Sequence, residues 1–161
     1  MFDASSDRSL LDTKTLESQV LAVLDEIIAI GGIENVILAS REGFPMFSRQ
    51  TKKMDDEGEL LVAAMLSGLM ATVEGATSRL GRSVSELVTV ESADGYIVIC
   101  DTFDGAVLAV TTTKASKLGL VHYIVRQAEK RLASLLAMDQ GQGVESFHDG
   151  LLYQPSSTTP P

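Results

Sequence analysis

The chain has 161 residues, 45% of them hydrophobic, with a mean hydropathy of +0.16, a formal net charge of −9 and a pI near 4.6. That length builds one core, burying roughly two-thirds of the unfolded surface, and the acidic balance argues against a nucleic-acid binder, which needs a basic patch or stripe. A lone cysteine, Cys100, makes no internal disulfide, no apolar run reaches the ~18 residues of a membrane span, and the acidic start MFDASSDRSLLD is unlike a signal peptide, so a soluble cytoplasmic protein is expected.

Residues 1–12 are rich in Ser and Asp, and residues 139–161 gather Gln, Gly, Ser, Thr and Pro. Neither end sustains an apolar period, so both are expected to be flexible tails around a single domain at 13–138. Leu16, Val20, Leu24, Ile27 and Ile28 recur at helical spacing between the capping candidates Asp12 and Thr13 and the stop Gly31-Gly32. Ile33 to Ala39 then reads as a strand, 40–43 as a turn, and Phe44 to Arg49 as a second strand. Pro45 has no N–H for a ladder, which places that strand at a sheet edge.

A charged loop leads to a second helix, predicted over 58–80, with Asp56 and Glu59 as a weak capping box. Its residues divide into three faces. Val62, Leu66, Leu69, Val73, Ala76 and Leu80 form a bulky apolar stripe; Glu59, Ala63, Ser67, Glu74 and Ser78 form a mostly polar one; Ala64, Gly68, Ala71 and Gly75 form one of small residues. Each mid-helix glycine costs about 1 kcal/mol against alanine, so a close backbone approach must offset it. Either the small stripe meets its own copy across a two-fold axis or it lies flat on the subunit's own sheet. The bulky stripe already serves the sheet, which favours the dimer.

Three short β runs follow, at 84–91, 95–102 and 106–112, joined by turns containing Asp94-Gly95 and Asp104-Gly105, as in an antiparallel meander. The second and third runs are apolar at both parities and are expected to be covered on both faces. A last helix, predicted over 116–138, carries Leu118, Val121, Val125, Ala128, Leu132 and Leu135. Its cations Lys114, Lys117, Arg126, Lys130 and Arg131, against the single acid Glu129, read as a wetted outer face rather than a docking patch for an acidic partner. Three amphipathic helices and a sheet buried on both faces make an α/β (α+β) fold of three layers, α/β/α.

No nucleotide-binding loop, metal-spaced Cys/His cluster or assembled triad is present in the sequence, so no cofactor, metal ligand or catalytic residue is assigned and the chain is read as a non-enzyme. His148 falls in the tail, His122 flanks an apolar stripe, and Cys100 reads as a small hydrophobe. Arg41, Arg79 and Arg82 stand in turns or at a helix end, and none is assigned as an arginine finger. The candidate partner contacts are Glu59, Ser67, Glu74 and Ser78, with Met70 as an adaptable apolar one.

The element order, together with ILASREGFPMFS, LLVAAMLSGLMATVEGATSRLG, IVICDTFDGAVLAVTT and KLGLVHYIVRQAEKRL, resembles the Roadblock / dynein light chain family and its bacterial relatives of the MglB kind, over about 16–136. The resemblance implies a five-stranded antiparallel sheet in the order 2-1-5-4-3, with the middle helix on one face and the terminal helices on the other. It implies a dimer joined through the middle helix and third strand, giving an interface of Leu61, Ala64, Gly68, Ala71, Thr72, Gly75, Val84, Val88 and Val90. It also implies a platform for a Ras-like small GTPase, with GAP-like activity in some members. A scaffold or motor adaptor without effect on nucleotide hydrolysis is the alternative. A small-molecule sensor is a further one, against which stands an aromatic content of 5% without Trp.

Overall fold

The computed structural model describes residues 4–83, 87–102 and 105–148, and side chains only between 15 and 138. Five strands, β1 (Ile33–Ser40), β2 (Pro45–Gln50), β3 (Val88–Glu91), β4 (Gly95–Asp101) and β5 (Ala106–Thr113), form one antiparallel sheet in the order β2-β1-β5-β4-β3. Helices α1 (Ala4–Ile28) and α3 (Leu118–His148) lie on one face and α2 (Asp56–Arg79) on the other. The three layers and the strand order match the expectation from the sequence.

Alternation along the central strands feeds two cores. Val36 and Leu38 of β1, Val98 and Cys100 of β4 and Leu108 and Val110 of β5 pack with Val20, Val23, Leu24 and Ile27 of α1 and Val121, Val125, Ala128 and Leu132 of α3. The intervening positions Ile37, Ile99, Val107 and Ala109 turn to the other face, where Leu66 and Met70 of α2 are their buried partners. β2 is an edge strand, as Pro45 requires. Its ladder to β1 slips between Leu38↔Phe47 and Ala39↔Pro45, leaving Met46 as the extra residue of a bulge.

Several boundaries differ from the periodicity. α1 begins at Ala4 and α3 continues to His148, so residues 4–12 and 139–148 are helical rather than tail. Once a packed segment has nucleated a helix, each added residue gains a hydrogen bond, and neither extension contains a proline. α2 is capped by Asp55, not Asp56: the Asp55 carboxylate accepts the Gly58 N–H at 2.8 Å. The described part of the third strand is 88–91, and residues 84–86 lie outside the described residues. Of the two Asp-Gly turns, only Gly105 has positive φ, at +75°; Gly95 is already in β4, packed against the Thr112 carbonyl.

The largest correction concerns the faces of α2. Ala63, Leu66, Ser67 and Met70 are its buried residues, whereas Leu69, Ala76 and Leu80 of the bulky stripe are exposed. The inward face therefore cuts across two of the stripes read from hydropathy. The β1–β2 turn causes this, because Gly43 at φ +92° seats against the backbone of Ala64, and the Ser67 hydroxyl donates to the Ser40 carbonyl at 2.9 Å. With its hydroxyl satisfied, Ser67 is accommodated in the core.

Candidate functional site

The outward half of α2 is the most apolar exposed helix surface among the described residues. Asp56, Glu57 and Glu59 in the first turn and Arg79 in the last suit the helix dipole, and between them the one charged residue is the half-buried Glu74. From Leu60 to Ser78 every exposed residue of the helix is uncharged: Leu60, Leu61, Ala64, Met65, Gly68, Leu69, Ala71, Thr72, Gly75, Ala76 and Ser78. Leu61 is 55% and Met65 62% exposed. A contiguous apolar patch of this kind on a folded domain marks an interaction surface. By length and composition α2 could cross a membrane, its best window having a hydropathy of 1.6. The helix is nevertheless a sheet-packed element whose apolarity is divided between an inner and an outer face.

Nothing lies within 4 Å of where a Cβ would stand at Gly68 or Gly75, so both open outward and their helix cost is not offset inside the subunit. Thr72 turns its hydroxyl back onto the Gly68 carbonyl at 2.8 Å, which satisfies that hydroxyl within the helix. Beyond Val62, the margin of the α2 core runs through Val88 and Ile97 to the free edge of β3. Leu61, Ala64, Gly68, Ala71, Thr72 and Gly75 thus share the exposed side of one helix, and Val88 and Val90 are half-buried on the edge strand; Val84 lies outside the described residues. Leu60, Met65 and Leu69 belong to the same surface and are missed by a hydropathy wheel that assigns large apolar residues inward.

The candidate partner contacts divide. Ser67, 5% exposed, and Met70, 2% exposed, are core residues, unavailable to any partner, because the inward face is centred on them. Glu59 and Glu74 are half-buried and Ser78 is exposed. Glu74 is engaged by Arg41, whose guanidinium lies 3.3 Å from Glu74 Oε1 and 2.5 Å from Asp101 Oδ2, tying the β1–β2 turn to α2 and to the end of β4. Arg41 is therefore a structural clasp, while Arg79 and Arg82 are exposed.

Cys100 is buried, and its thiol is pushed up to about 12, chiefly by that burial. His122 is half-buried and shares a 2.9 Å hydrogen bond with Thr89, linking α3 to β3. Lys114 and Arg131 pair with Glu91 and Glu26, as expected of cations on a wetted surface. The His148 side chain is outside the described ones. Among the described residues no group of His, Cys, Asp or Glu is arranged to hold a metal ion.

Among the described residues the sheet carries one helix on this face, and the outer side of that helix is apolar and exposed, the arrangement of a domain with an interaction surface. The chain belongs to the Roadblock/LC7 domain family, whose model matches residues 19–112. It is similar to the uncharacterized protein MJ0714 of Methanocaldococcus jannaschii, with 25% identity over 120 residues covering 74% of this chain and 98% of that protein. Among solved structures it is similar to Myxococcus xanthus MglB, with TM-score 0.68 and 20% identity over 74% of this chain and 95% of that one. It is also similar to the gliding protein MglB of Thermus thermophilus, with TM-score 0.67 and 16% identity over 84% and 93% of the two chains. These structural likenesses concern the fold.

Proposed function

We propose that the chain is a homodimeric cytoplasmic platform that binds a Ras-like small GTPase and modulates its nucleotide cycle in a GAP-like manner, without contributing an arginine finger. The observation that carries this reading is the uncovered apolar side of α2, with Gly68 and Gly75 open at its centre and the free edge of β3 beside it. Two copies related by a two-fold axis would bring these helices together through Ala64, Gly68, Ala71 and Gly75, with Leu61 and Thr72 alongside. The edges at Val88 and Val90 would pair, joining two sheets into one and protecting both edges. The MglB-like fold supports a small GTPase as the partner, and the membership of the Roadblock/LC7 family supports a binding role over an enzymatic one. Glu59, Glu74 and Ser78 at the flank of the paired helices are the proposed polar contacts.

Size-exclusion chromatography with light scattering tests the foundation. The wild-type chain is expected to run as a dimer at micromolar concentration, and the double substitution Gly68→Leu, Gly75→Leu as a folded monomer by circular dichroism. A monomeric wild type or a dimeric double variant overturns the platform. GTP hydrolysis by a small GTPase from the same source, with and without the chain, then separates an activator from a passive scaffold.

A further inference from the structure

The opposite edge of the sheet carries a second surface. Among the described residues the strand β2 pairs with β1 on one side only, and a groove of about 460 Å³ runs along its free side. Glu17 and Leu21 of α1 wall the groove on one flank, Asp56 and Glu59 at the start of α2 on the other, and residues 45–49 of β2 form its floor. Thr51 N donates to the Glu34 carbonyl, which fixes the phase of the ladder: residues 51, 49 and 47 turn their amides to β1. Ser48 and Gln50 therefore turn their N–H and C=O groups to the free side of the strand, Ser48 within the groove and Gln50 just beyond it. The Ser48 carbonyl receives the Arg49 guanidinium at 3.0 Å, which occupies one of its two lone pairs.

The groove is acidic. Glu17, Asp56 and Glu59 line it, and Arg49, the one cation lining it among the described residues, is neutralised by Asp25 at 2.5 Å. Lys52 and Lys53 belong to the loop beyond the strand and do not line it. Apolar contact is available on both sides of the strand plane, from Leu21 on one and Met46, 42% exposed, at the bulge. A strand laid along β2 would place alternate side chains on these two sides.

We propose that the free edge of β2 is a docking site for an extended segment of a partner protein in which apolar residues alternate with lysine or arginine. The segment adds as a sixth strand: the Ser48 and Gln50 amides supply the ladder, and the carboxylates of Glu17, Asp56 and Glu59 select its charge. Charge complementarity also separates this occupant from a second copy of the chain, whose own β2 groove carries the same acids and would be repelled. The site lies at the far end of the sheet from β3 and shares only Glu59 with the polar contacts proposed for the GTPase, so it does not rest on the dimer or the GTPase reading.

Fluorescence anisotropy with labelled peptides of about ten residues tests it, on the full chain at low salt. A Lys-Val alternating peptide is expected to bind, while a Glu-Val peptide, and a Lys-Gly peptide of equal charge but poor strand propensity, are expected not to. Ser48→Pro removes an N–H that faces away from β1, and is expected to weaken binding about tenfold with the circular dichroism spectrum unchanged. The pair Glu17→Lys, Asp56→Lys provides an independent arm and is expected to weaken binding at least as much and to remove its salt dependence. Equal binding of the Lys-Gly peptide, or of the Lys-Val peptide to both variants, overturns strand addition. A tetramer in light scattering that Ser48→Pro reduces to a dimer would likewise overturn it, by assigning the edge to a second copy.

Discussion

Gly43→Ala tests whether the β1–β2 turn is seated on α2. Gly43 has φ +92°, and a Cβ there would stand 2.8 Å from Ala64 Cα and 3.2 Å from Ala64 Cβ. Left-handed backbone costs an L-residue about 1–2 kcal/mol. Forcing a methyl against backbone that has no rotamer to yield adds about 1–3 kcal/mol. The sum is about 2–5 kcal/mol, and with a mid-range urea m-value of about 2 kcal/mol/M the midpoint should fall by about 1–2.5 M. Gly105→Ala is the control: φ is +75°, but the nearest atom to the new methyl is the flexible Arg41 side chain, with Nε at 3.4 Å. It should show only the conformational part, about 1–2 kcal/mol. Both variants and the wild type are to be unfolded at one protein concentration, because association adds to apparent stability. Equal losses at the two positions would refute the close approach of the turn to the helix.

Met70→Ala empties a fully packed site and is expected to cost about 2–5 kcal/mol in the same urea titration; a loss under about 1 kcal/mol would mean the inward face is wrongly placed. Cys100, its thiol pushed up to about 12, should resist a thiol-disulfide reagent at pH 8 and be modified only as fast as the domain opens, so rapid labelling of native protein contradicts its burial. Arg131 holds the Glu26 carboxyl below its ordinary value of 4.5, so the pair contributes above that pH and its contribution is lost as pH falls through the lowered value. Glu26→Gln should therefore shift the midpoint at pH 7 by more than at pH 2, and equal shifts at the two pH values would contradict the coupling.

Much of the architecture was legible because the apolar runs change period where the elements change. The runs 95–102 and 106–112 are apolar at both parities and became the central β4 and β5, and Pro45 marked an edge strand. The small residues of α2 marked its open side correctly, since Ala64, Gly68, Ala71 and Gly75 are all exposed. The inward side was less legible. Hydropathy turns Leu69 and Leu80 inward and Ser67 outward, but the contact of Gly43 with Ala64 and the bond from Ser67 to the Ser40 carbonyl rotate the helix to another answer. Both are tertiary contacts between segments distant in sequence, and no local pattern encodes them. The groove along β2 is of the same kind, since Glu17, Arg49 and Asp56 become neighbours only through the fold.

The two layers on either side of the sheet are unequal. α1 and α3 share a deep interior with the strands, while the whole of α2 is held by a cluster centred on Ile37, Leu66, Met70, Ile99, Val107 and Ala109. A helix anchored so lightly opens at lower free energy than the rest of the domain unless something covers its back. If the proposed dimer forms through α2, hydrogen exchange in that helix should slow as the protein is concentrated while exchange in β5 stays constant, and the order of the recognition helix would then depend on the encounter it serves.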